Sequence, residues 1–458
     1  MSLTIKPNGT KIAGEELLHD VFFNLLRNSE YSYLDKENHI YLDYTGANII
    51  PKRILDQHHN FLSQHVLGNP HSNNPTSDFS TKAVEKARRE VLSFFNATNK
   101  YNCIFVNNAS AAIQIIADFY PFGLNGRFLL TTDNHNSIHG IRECVNNVKY
   151  VSVDSKTLTI NQAELELDLI NAPDDVSKLF AYPAQSNSSG VKHSLEWIEK
   201  AKDLGWDVFL DAAAYVPSSR LDLSKYSPDF VSISFYKMFG YPAGIGCLLV
   251  LNDKVDLLER TWFAGGTVSK VTIAPPTHHW AIGHEKFENG TPNFTGVPAI
   301  CYGLRFLNSI GMERISQRIT SLANYFIERL LACEHENKHP LVKIFGSHVC
   351  ADRSGTISLD ILDETGGAFP FKLIEEFASH LKISIRAGRF CNYGVFEVNN
   401  PHCKKAKHFG AFEGSDELEV ASGTIRVSVG LATTQVDIDS FIDFVNALKN
   451  KEYQKSTS

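Results

Sequence analysis

Short apolar segments alternate with helical patterns between about residues 80 and 250. The segment TKAVEKARREVLSFF has helical spacing, and it places on one face Val84, Ala87, Val91, Leu92 and Phe95. The strand candidates are almost continuously apolar, which is typical of a sheet covered by helices on both faces. They are NCIFV, RFLLTT, KYVSV, KLFAYP, DVFLDAA, DFVSISF and GCLLVL. This pattern predicts a large α/β domain.

The order of elements changes beyond about residue 295. Two helical segments, PAICYGLRFLNSI and RITSLANYFIERLLA, precede the strand candidates GTISLDI, ISIRAG and TIRVSVG and a final helix, DIDSFIDFVNALKN. Helices followed by strands predict a smaller α+β domain. We therefore predict an N-terminal segment (1–37) that packs across both domains, a large α/β domain (38–294) and a small C-terminal α+β domain (295–458).

Composition narrows the classes of function. The chain has 458 residues, 43% of them hydrophobic, and a net charge of −7, so nucleic acid and anionic membranes are not expected as partners. No apolar run approaches the roughly 20 residues of a membrane-spanning helix, and the first residues lack the apolar region of a signal peptide. The eight cysteines form no CxxC pair, which argues against a structural zinc site and for a reducing compartment. A cytoplasmic protein is expected.

A lysine follows one of the buried strands. Lys237 lies between the apolar segment DFVSISF and a turn rich in glycine and proline. A lysine at this place either extends to solvent or is positioned to react. A second strand runs into Asn107–Ser110 and then into a helix, whose free N–H groups form either an anion site or an ordinary N-cap.

Three further polar residues follow strands. Taken singly, His135 is typical of a hydrogen-bonded histidine and Asn187 of a turn, whereas Asp211 at the end of an apolar strand requires a partner. Ligands of open α/β sheets bind outside the carboxyl ends of the strands. An anion site, a ring, an amide, an acid and a lysine in this place match the needs of pyridoxal 5′-phosphate (PLP), whose aldehyde reacts with a lysine and whose ring nitrogen pairs with a carboxylate.

At this point the sequence resembles the class V aminotransferase family, in its cysteine desulfurase branch, and most of all the N-terminal desulfurase domain of molybdenum cofactor sulfurases. The resemblance covers residues 38–448, and it rests on YLDYTGAN, GNPHS, YPAQSNSSGVK, LDAAAYV, SFYKMFGYPAGIG, FAGGTV, FENGTP and RAGRFCN. It implies the PLP-dependent transferase fold, fold type I or aspartate aminotransferase-like, in a homodimer with shared active sites.

The resemblance also implies roles for individual residues. Lys237 would form the Schiff base, Asp211 would pair with the ring nitrogen, and His135 would stack on the ring and take part in catalysis. Asn187 would contact the 3′-oxygen and also the substrate. Ser110 and Ser234 would hold the phosphate, Ala109 and Tyr236 would complete the cofactor set, and the second subunit would supply Gly266, Thr267 and Thr291.

Some positions differ from the iron–sulfur type of desulfurase. Tyr236 stands where those enzymes have histidine, and Ala214 stands where they have glutamine, as in sulfurases. The phosphate loop is Asn108–Ala109–Ser110 in place of glycine–serine–threonine. The match ends before the C-terminal domain of the sulfurases, which leaves the sulfur acceptor open, a separate acceptor among the possibilities.

The small domain supplies the substrate side of the site. Arg426 resembles the carboxylate-binding arginine of the family, since a guanidinium matches a carboxylate with two parallel hydrogen bonds; the alternative is a surface arginine on an edge strand. Arg386 is a second substrate-binding candidate. Cys391, five residues later, has the spacing of the desulfurase nucleophile, and a polar loop between two arginines favours a reactive thiolate.

The sequence thus predicts a PLP-dependent, cysteine desulfurase-like enzyme that removes sulfur from L-cysteine through a persulfide on Cys391 and yields alanine. A transaminase, an epimerase or a C–S lyase acting on another amino acid is an alternative with the same cofactor. A catalytically silent relative that serves as a partner subunit is an alternative of another class.

Overall fold

A computed structural model of the chain describes residues 21–349, 352–399 and 423–449. Its strands, in chain order, are β1 (Ile40–Tyr41), β2 (Tyr101–Val106), β3 (Arg127–Thr131), β4 (Asn147–Val151), β5 (Lys178–Pro183), β6 (Asp207–Asp211), β7 (Phe230–Ser234), β8 (Gly246–Leu251), β9 (Val268–Thr272), β10 (Thr277–Trp280), β11 (Val342–Phe345), β12 (Thr356–Ile361), β13 (Ile383–Ser384), β14 (Arg386–Gly388) and β15 (Thr424–Ser428).

The helices surround these strands, and residues 21–30 are helical as well. Among the described ranges no helix combines the length and the apolar character that a membrane span needs. The helices are α1 (Ser32–Lys36), α2 (Lys52–Gln64), α3 (Pro75–Phe94), α4 (Ala109–Phe119), α5 (Asn136–His139), α6 (Gln162–Ile170), α7 (Glu196–Asp203), α8 (Phe235–Phe239), α9 (Ala299–Ile310), α10 (Met312–Leu331), α11 (Phe371–His380), α12 (Tyr393–Asn399) and α13 (Gln435–Ala447).

Seven strands form the main sheet, in the order β2-β8-β7-β6-β5-β3-β4. Each of the seven strands predicted for the large domain is found in it. Strands β3 to β7 run parallel, β8 is antiparallel to both of its neighbours, and β2 therefore has the direction of the parallel set. The carboxyl ends of β2, β3, β5, β6 and β7 consequently meet at one edge of the sheet.

Apolar side chains cover both faces of the main sheet. Along β3, Leu129 packs into one buried cluster, whereas Phe128 and Leu130 pack into another on the opposite face. This alternation follows from the two-residue period of a strand. It explains the continuous hydrophobicity of these segments, because a strand buried on both faces needs apolar residues at every position.

A second, antiparallel sheet lies in the C-terminal part of the chain, with strand order β11-β12-β15-β14. The predicted strands GTISLDI and TIRVSVG form β12 and β15 of this sheet, whereas ISIRAG is divided into β13 and β14, of which β14 belongs to it. Strand β11 was not predicted. Strand β1, which the prediction assigned to the large domain, pairs in parallel with β13 of the small one. The domain limits at residues 38 and 295 stay a prediction.

The described part of the N-terminal segment packs against the small domain. The guanidinium of Arg27 donates to the carboxylate of Asp437 (2.6 Å) and to the carbonyl oxygen of Ala432 (2.5 Å). Both charged side chains of the Arg27–Asp437 pair are less than 10% exposed. Residues 1–20 of the segment lie outside the described residues.

This pair leads to a stability prediction. Replacing one partner of a buried ion pair leaves the other charge uncompensated, which costs about 3–5 kcal/mol. We expect Arg27→Met to lower the thermal midpoint clearly. Arg142→Met is the matched control, since Arg142 and its partner Glu143 are both more than half exposed and such pairs contribute about 1 kcal/mol or less. Equal midpoints for the two variants, measured by calorimetry, would contradict the prediction.

Candidate functional site

A cavity of about 340 Å³ opens at the edge where the carboxyl ends of the parallel strands meet. Its lining side chains lie at or just after the ends of five different strands. In such a sheet, ligands usually bind outside the carboxyl ends of the strands. Eight of the predicted site residues line it, namely Ala109, Ser110, His135, Asn187, Asp211, Ser234, Tyr236 and Lys237.

Lys237 lies in the short helix α8, directly after β7. The sequence predicted that Lys237 lies between the end of the strand and a turn. The structure corrects this, because a short helix that contains Lys237 separates the strand from the turn. Gly240 ends this helix with a left-handed φ of 79°, a conformation that glycine adopts without strain. Burial lowers the pKa of Lys237, and the nearby carboxylate of Asp211 opposes this effect. An amine with a lowered pKa loses its proton more readily and becomes a nucleophile.

Asp211 has the partners that its burial requires. Its Oδ1 accepts hydrogen bonds from the hydroxyl of Ser232 (2.9 Å) and the backbone N–H of Ala213 (3.1 Å). These two bonds hold the carboxylate in one orientation. They leave Oδ2 without a hydrogen bond from the described residues, so that oxygen can accept a proton or a hydrogen bond from a ligand.

The start of α4 forms one wall of the cavity. Asn108 is the N-cap residue, and its side chain accepts from the N–H of Ala111. Asn108 is therefore an ordinary N-cap, one of the two alternatives for this segment. The other alternative, an anion site, stays open because the first amides of the helix lack partners within the helix. The hydroxyl of Ser110 pairs with that of Ser137 (2.7 Å). Ser234 contributes a buried hydroxyl that has no hydrogen-bond partner among the described residues.

His135 follows β3 and caps the short helix α5. Its Nδ1 accepts a hydrogen bond from the backbone N–H of Ser137 at 3.1 Å. Burial is the main cause that lowers the pKa of His135. The imidazole is therefore neutral near pH 7, with its proton on Nε2 because Nδ1 is an acceptor.

Asn187 links the large domain to the loop that carries Cys391. Its Nδ2 donates to the carbonyl oxygen of Phe390 (2.7 Å), and its Oδ1 accepts from the amide of Asn392 (2.9 Å). The side chain therefore does more than shape a turn, because it holds the loop of the small domain against the cavity.

Cys391 is solvent-exposed. Its carbonyl oxygen accepts from the N–H of Asn136, next to His135, and its φ of 53° lies in the left-handed region. Gly394 lies in the following helix α12, which approaches the backbone of Thr132 so closely that a Cβ at this position would collide with its carbonyl oxygen. Cys391 does not itself line the cavity, and its neighbours Phe390 and Asn392 bond to Asn187, which does.

Arg426 is buried, with 3% of its side chain exposed. It lies on β15, which has neighbours on both sides in the small sheet, so the alternative of a surface arginine on an edge strand is wrong. Its guanidinium donates to the carbonyl oxygen of Asn187 (2.8 Å) and to the carboxylate of Asp43 (3.0 Å), and it packs over the ring of Phe390. Arg386, half exposed, donates to the same carboxylate.

Six of the predicted site residues do not line the cavity. Arg426 and the loop of Cys391 bond to Asn187 of the lining, and Arg386 shares the carboxylate of Asp43 with Arg426. The other three, Gly266, Thr267 and Thr291, lie elsewhere in the chain. The hydroxyl of Thr267 bonds within its own turn, to the backbone of Ala264. Their contribution across a subunit boundary stays a prediction.

Several residues of the site were not predicted from the sequence. Gln185 lines the cavity with a buried Oε1 that has no partner among the described residues, and its signal was its place in the quoted segment YPAQSNSSGVK. Asp43 had a comparable signal in YLDYTGAN. Ser137 and Asn392 act by hydrogen bonds to His135 and Asn187, and nothing in the local pattern indicates those contacts.

Comparison with known proteins agrees with this geometry. The family model described as "Aminotransferase class-V" matches residues 40–441. Molybdenum cofactor sulfurase from Homo sapiens is 33% identical over 454 residues, which cover 92% of this chain and 50% of that protein. The homologue from Arabidopsis thaliana is 30% identical over 469 residues, covering 92% of this chain and 57% of that one. The chain thus spans about half the length of these relatives.

Solved structures share the fold. A cysteine desulfurase from Thermococcus onnurineus NA1 has a TM-score of 0.79 and 22% identity, and the match covers 93% of this chain and 97% of that one. A C-DES mutant with glycine covalently linked to its PLP cofactor has a TM-score of 0.71 and 17% identity, covering 92% and 98% of the two chains. The predicted α/β fold is confirmed.

The family model covers far more than half of the chain, and the cavity lies where the fold places its ligands. The resemblance found in the sequence motifs is thereby confirmed. The chain belongs to the class V aminotransferase family.

Proposed function

We propose that this chain is a PLP-dependent, cysteine desulfurase-like enzyme that takes sulfur from L-cysteine and yields alanine. The observation that carries the proposal is the arrangement around Lys237. This amine has a pKa lowered by burial, and it lines one cavity together with the carboxylate of Asp211 and the amide of Asn187. Asn187 in turn bonds to Phe390 and Asn392, the two neighbours of the exposed Cys391. A nucleophilic amine and an acid thus share one cavity, and a thiol lies on the loop held beside it.

The residues present fit PLP. The unpartnered hydroxyl of Ser234 and the free amides at the start of α4 suit a phosphate. The free Oδ2 of Asp211 suits a protonated ring nitrogen, and the amine of Lys237 suits the aldehyde. When bound, PLP supplies an electron sink that stabilises negative charge on the α-carbon of an amino acid.

His135 and Asn187 complete the proposed cofactor site. A neutral imidazole packs on an aromatic ring without adding charge, and the low pKa of His135 keeps it neutral. The amide of Asn187 has one N–H on Phe390, and an amide nitrogen has two. The second N–H is available for the 3′-oxygen of the cofactor.

Substrate binding and proton transfer fall to three side chains of this chain. Arg426 would bind the carboxylate of L-cysteine, and the amine of Lys237 would hold the α-proton as general base. The thiolate of Cys391 would attack the substrate sulfur. As the Sγ–S bond forms, the Cβ–S bond breaks with its electron pair on carbon, which is then protonated, so that cysteine and a thiol become alanine and a persulfide.

We propose a homodimer on a second observation. Large apolar side chains are exposed along the hairpin of β9 and β10 and the residues flanking it, a surface that another protein chain would cover. They are Trp262 (52% exposed), Phe263 (43%), Val271 (41%), Ile273 (87%) and Ile282 (89%). The same stretch contains Gly266 and Thr267, which on this proposal reach the cavity of the second copy, as does Thr291.

Two further proposals concern the surroundings of the enzyme. A cytoplasmic location is supported by the six cysteines among the described residues, which are all free thiols.

The sulfur acceptor is proposed to be a separate molecule. The molybdenum cofactor named in the sulfurase relatives is the first acceptor to test.

The first test concerns Lys237. Borohydride reduction of the purified protein should fix PLP covalently, and peptide mapping should find it on Lys237. In Lys237→Ala the adduct should be absent, while some cofactor stays through the phosphate and Asp211 contacts. Lys192→Ala is the matched control, because burial lowers the pKa of that lysine as well but Lys192 does not line the cavity. An adduct elsewhere, or none, refutes the PLP proposal.

The second test concerns Cys391 and separates a desulfurase from the other PLP enzymes. After brief exposure to L-cysteine without reductant, mass spectrometry should find one added sulfur on Cys391. Cys391→Ser should lose persulfide formation and still bind PLP, since a serine hydroxyl is not ionised near neutral pH. Cys144→Ser is the matched control, because Cys144 is also exposed but ends the segment Gly140–Cys144 and does not belong to the loop that Asn187 holds at the cavity.

The outcomes of this test differ by function. Full sulfide release by Cys391→Ser would indicate a C–S lyase, and amino-group transfer or racemisation would indicate a transaminase or an epimerase. Protein that binds PLP but leaves L-cysteine unchanged would favour the silent partner subunit. Each of these results contradicts the desulfurase proposal.

A further inference from the structure

The carboxylate of Asp43 lies between the two arginines assigned to the substrate. Arg386 donates to Oδ2 from Nη2 (2.6 Å) and from Nε (3.0 Å). Arg426 donates to Oδ1 from Nη2 (3.0 Å). The side chain of Asp43 is only 10% exposed. One buried carboxylate is therefore shared by two guanidinium groups, and the proposed function does not use it.

Asp43 cannot move away from this position without moving the chain around it. Its backbone forms a parallel bridge with Ser428 on β15, the strand that carries Arg426. On the other side, a Cβ at Gly46 would lie 2.4 Å from Oδ2 of Asp43 and 2.7 Å from the Arg386 guanidinium. Any side chain at position 46 would collide with the Asp43–Arg386 pair, so the close approach of the chain there requires glycine.

Asp43 does not block the binding of a ligand to Arg426. A guanidinium has five N–H groups, and two of them serve the carbonyl of Asn187 and the carboxylate of Asp43. The Nε of Arg426 is buried and has no partner among the described residues. Enough donors remain for a second carboxylate to bind in a forked manner beside Asp43.

The charges of this cluster limit what can bind. The two guanidiniums and the carboxylate of Asp43 leave one net positive charge in the contact itself, and the exposed Glu375 adds a negative charge screened by solvent beside Arg386. The carboxylate of an amino acid with one acidic group neutralises that charge. In the proposed function its amino group bonds to the cofactor, so it adds no positive charge beside the arginines. A second carboxylate on the ligand side chain would remain unpaired in a poorly solvated place, which is costly.

We propose that Asp43 is a specificity-determining residue that restricts the site to amino acids with a single carboxylate. It also positions the Arg426 guanidinium between Asn187 and the ligand. The inference rests on the proposed function, in that it defines the class of substrate for the same site. L-cysteine, with one carboxylate and a small side chain, belongs to that class.

The test compares two ligands that lack sulfur, L-alanine and L-aspartate, by calorimetric titration of the PLP-loaded protein. The unmodified protein should bind L-alanine more tightly. Asp43→Asn keeps the shape and one acceptor oxygen but removes the charge. It should shift the ratio of dissociation constants toward L-aspartate by about tenfold, as expected for the loss of one partly screened charge.

Two other variants sharpen the test. Arg386→Gln removes a positive charge from a half-exposed position and should shift the ratio in the opposite direction, so it serves if Asp43→Asn does not fold. Glu376→Gln is the matched control, since Glu376 is an exposed carboxylate on the same helix as Glu375 and neither of the two arginines bonds to it among the described residues. It should leave the ratio unchanged.

The inference is overturned if the unmodified protein binds both ligands equally. It is also overturned if Asp43→Asn changes both affinities by the same factor, because Asp43 would then merely compete with the ligand or support the fold. Neither ligand can release sulfide, so the outcome is separate from the desulfurase test. If no persulfide forms but Asp43→Asn still shifts the ratio of dissociation constants as expected, the desulfurase function is refuted and the role of Asp43 in ligand selection stands.

Discussion

Arg426 joins three distant parts of the chain at one guanidinium group. It extends from β15 of the small domain, donates to the carbonyl oxygen of Asn187 in the large domain, and donates to Asp43 near the N-terminal end of the described residues. The partners are separated by 239 and 383 positions in sequence. Hydrogen bonds to a charged group are the stronger kind. Arg426 therefore contributes a charged, buried contact to the placement of the two domains at the cavity, beside the bonds that Arg353 and Ser358 form with Ser189 and Ser188.

The loop of Cys391 depends on the same region. Asn187 holds it through Phe390 and Asn392, and the ring of Phe390 packs on Arg426. Because both bonds of the Asn187 side chain go to this loop, the large domain determines where the thiol lies. Lys237 and His135 are both buried in the cavity. This burial lowers the pKa of each side chain and so favours its uncharged form.

Much of the fold could be predicted because both faces of the main sheet are apolar, which made its seven strands visible as continuous runs. The hairpin of β9 and β10 could not be, since segments such as THHW are exposed and show no apolar period. Helix α8 has only five residues, too few for a helical period to appear.

Among the site residues, those at strand ends were predictable, because parallel strands bring their carboxyl ends together. The contact between Asp43 and Arg386 spans 343 positions, and a local pattern contains no information on such a distance.

A sheet that is apolar on both faces has an unusual consequence for strand registration. In a sheet with one wet face, a slip by one residue would expose the apolar set, and the pattern itself selects the correct pairing. Here either pairing would bury apolar side chains, so the selection falls to polar groups. The hydroxyl of Ser232 meets Asp211 on the adjacent strand, and Asp229 accepts from the N–H of Val208 at 2.7 Å. Each such bond would be lost in a shifted pairing. Asp211, an acid of the cavity lining, thus also helps to align β6 with β7.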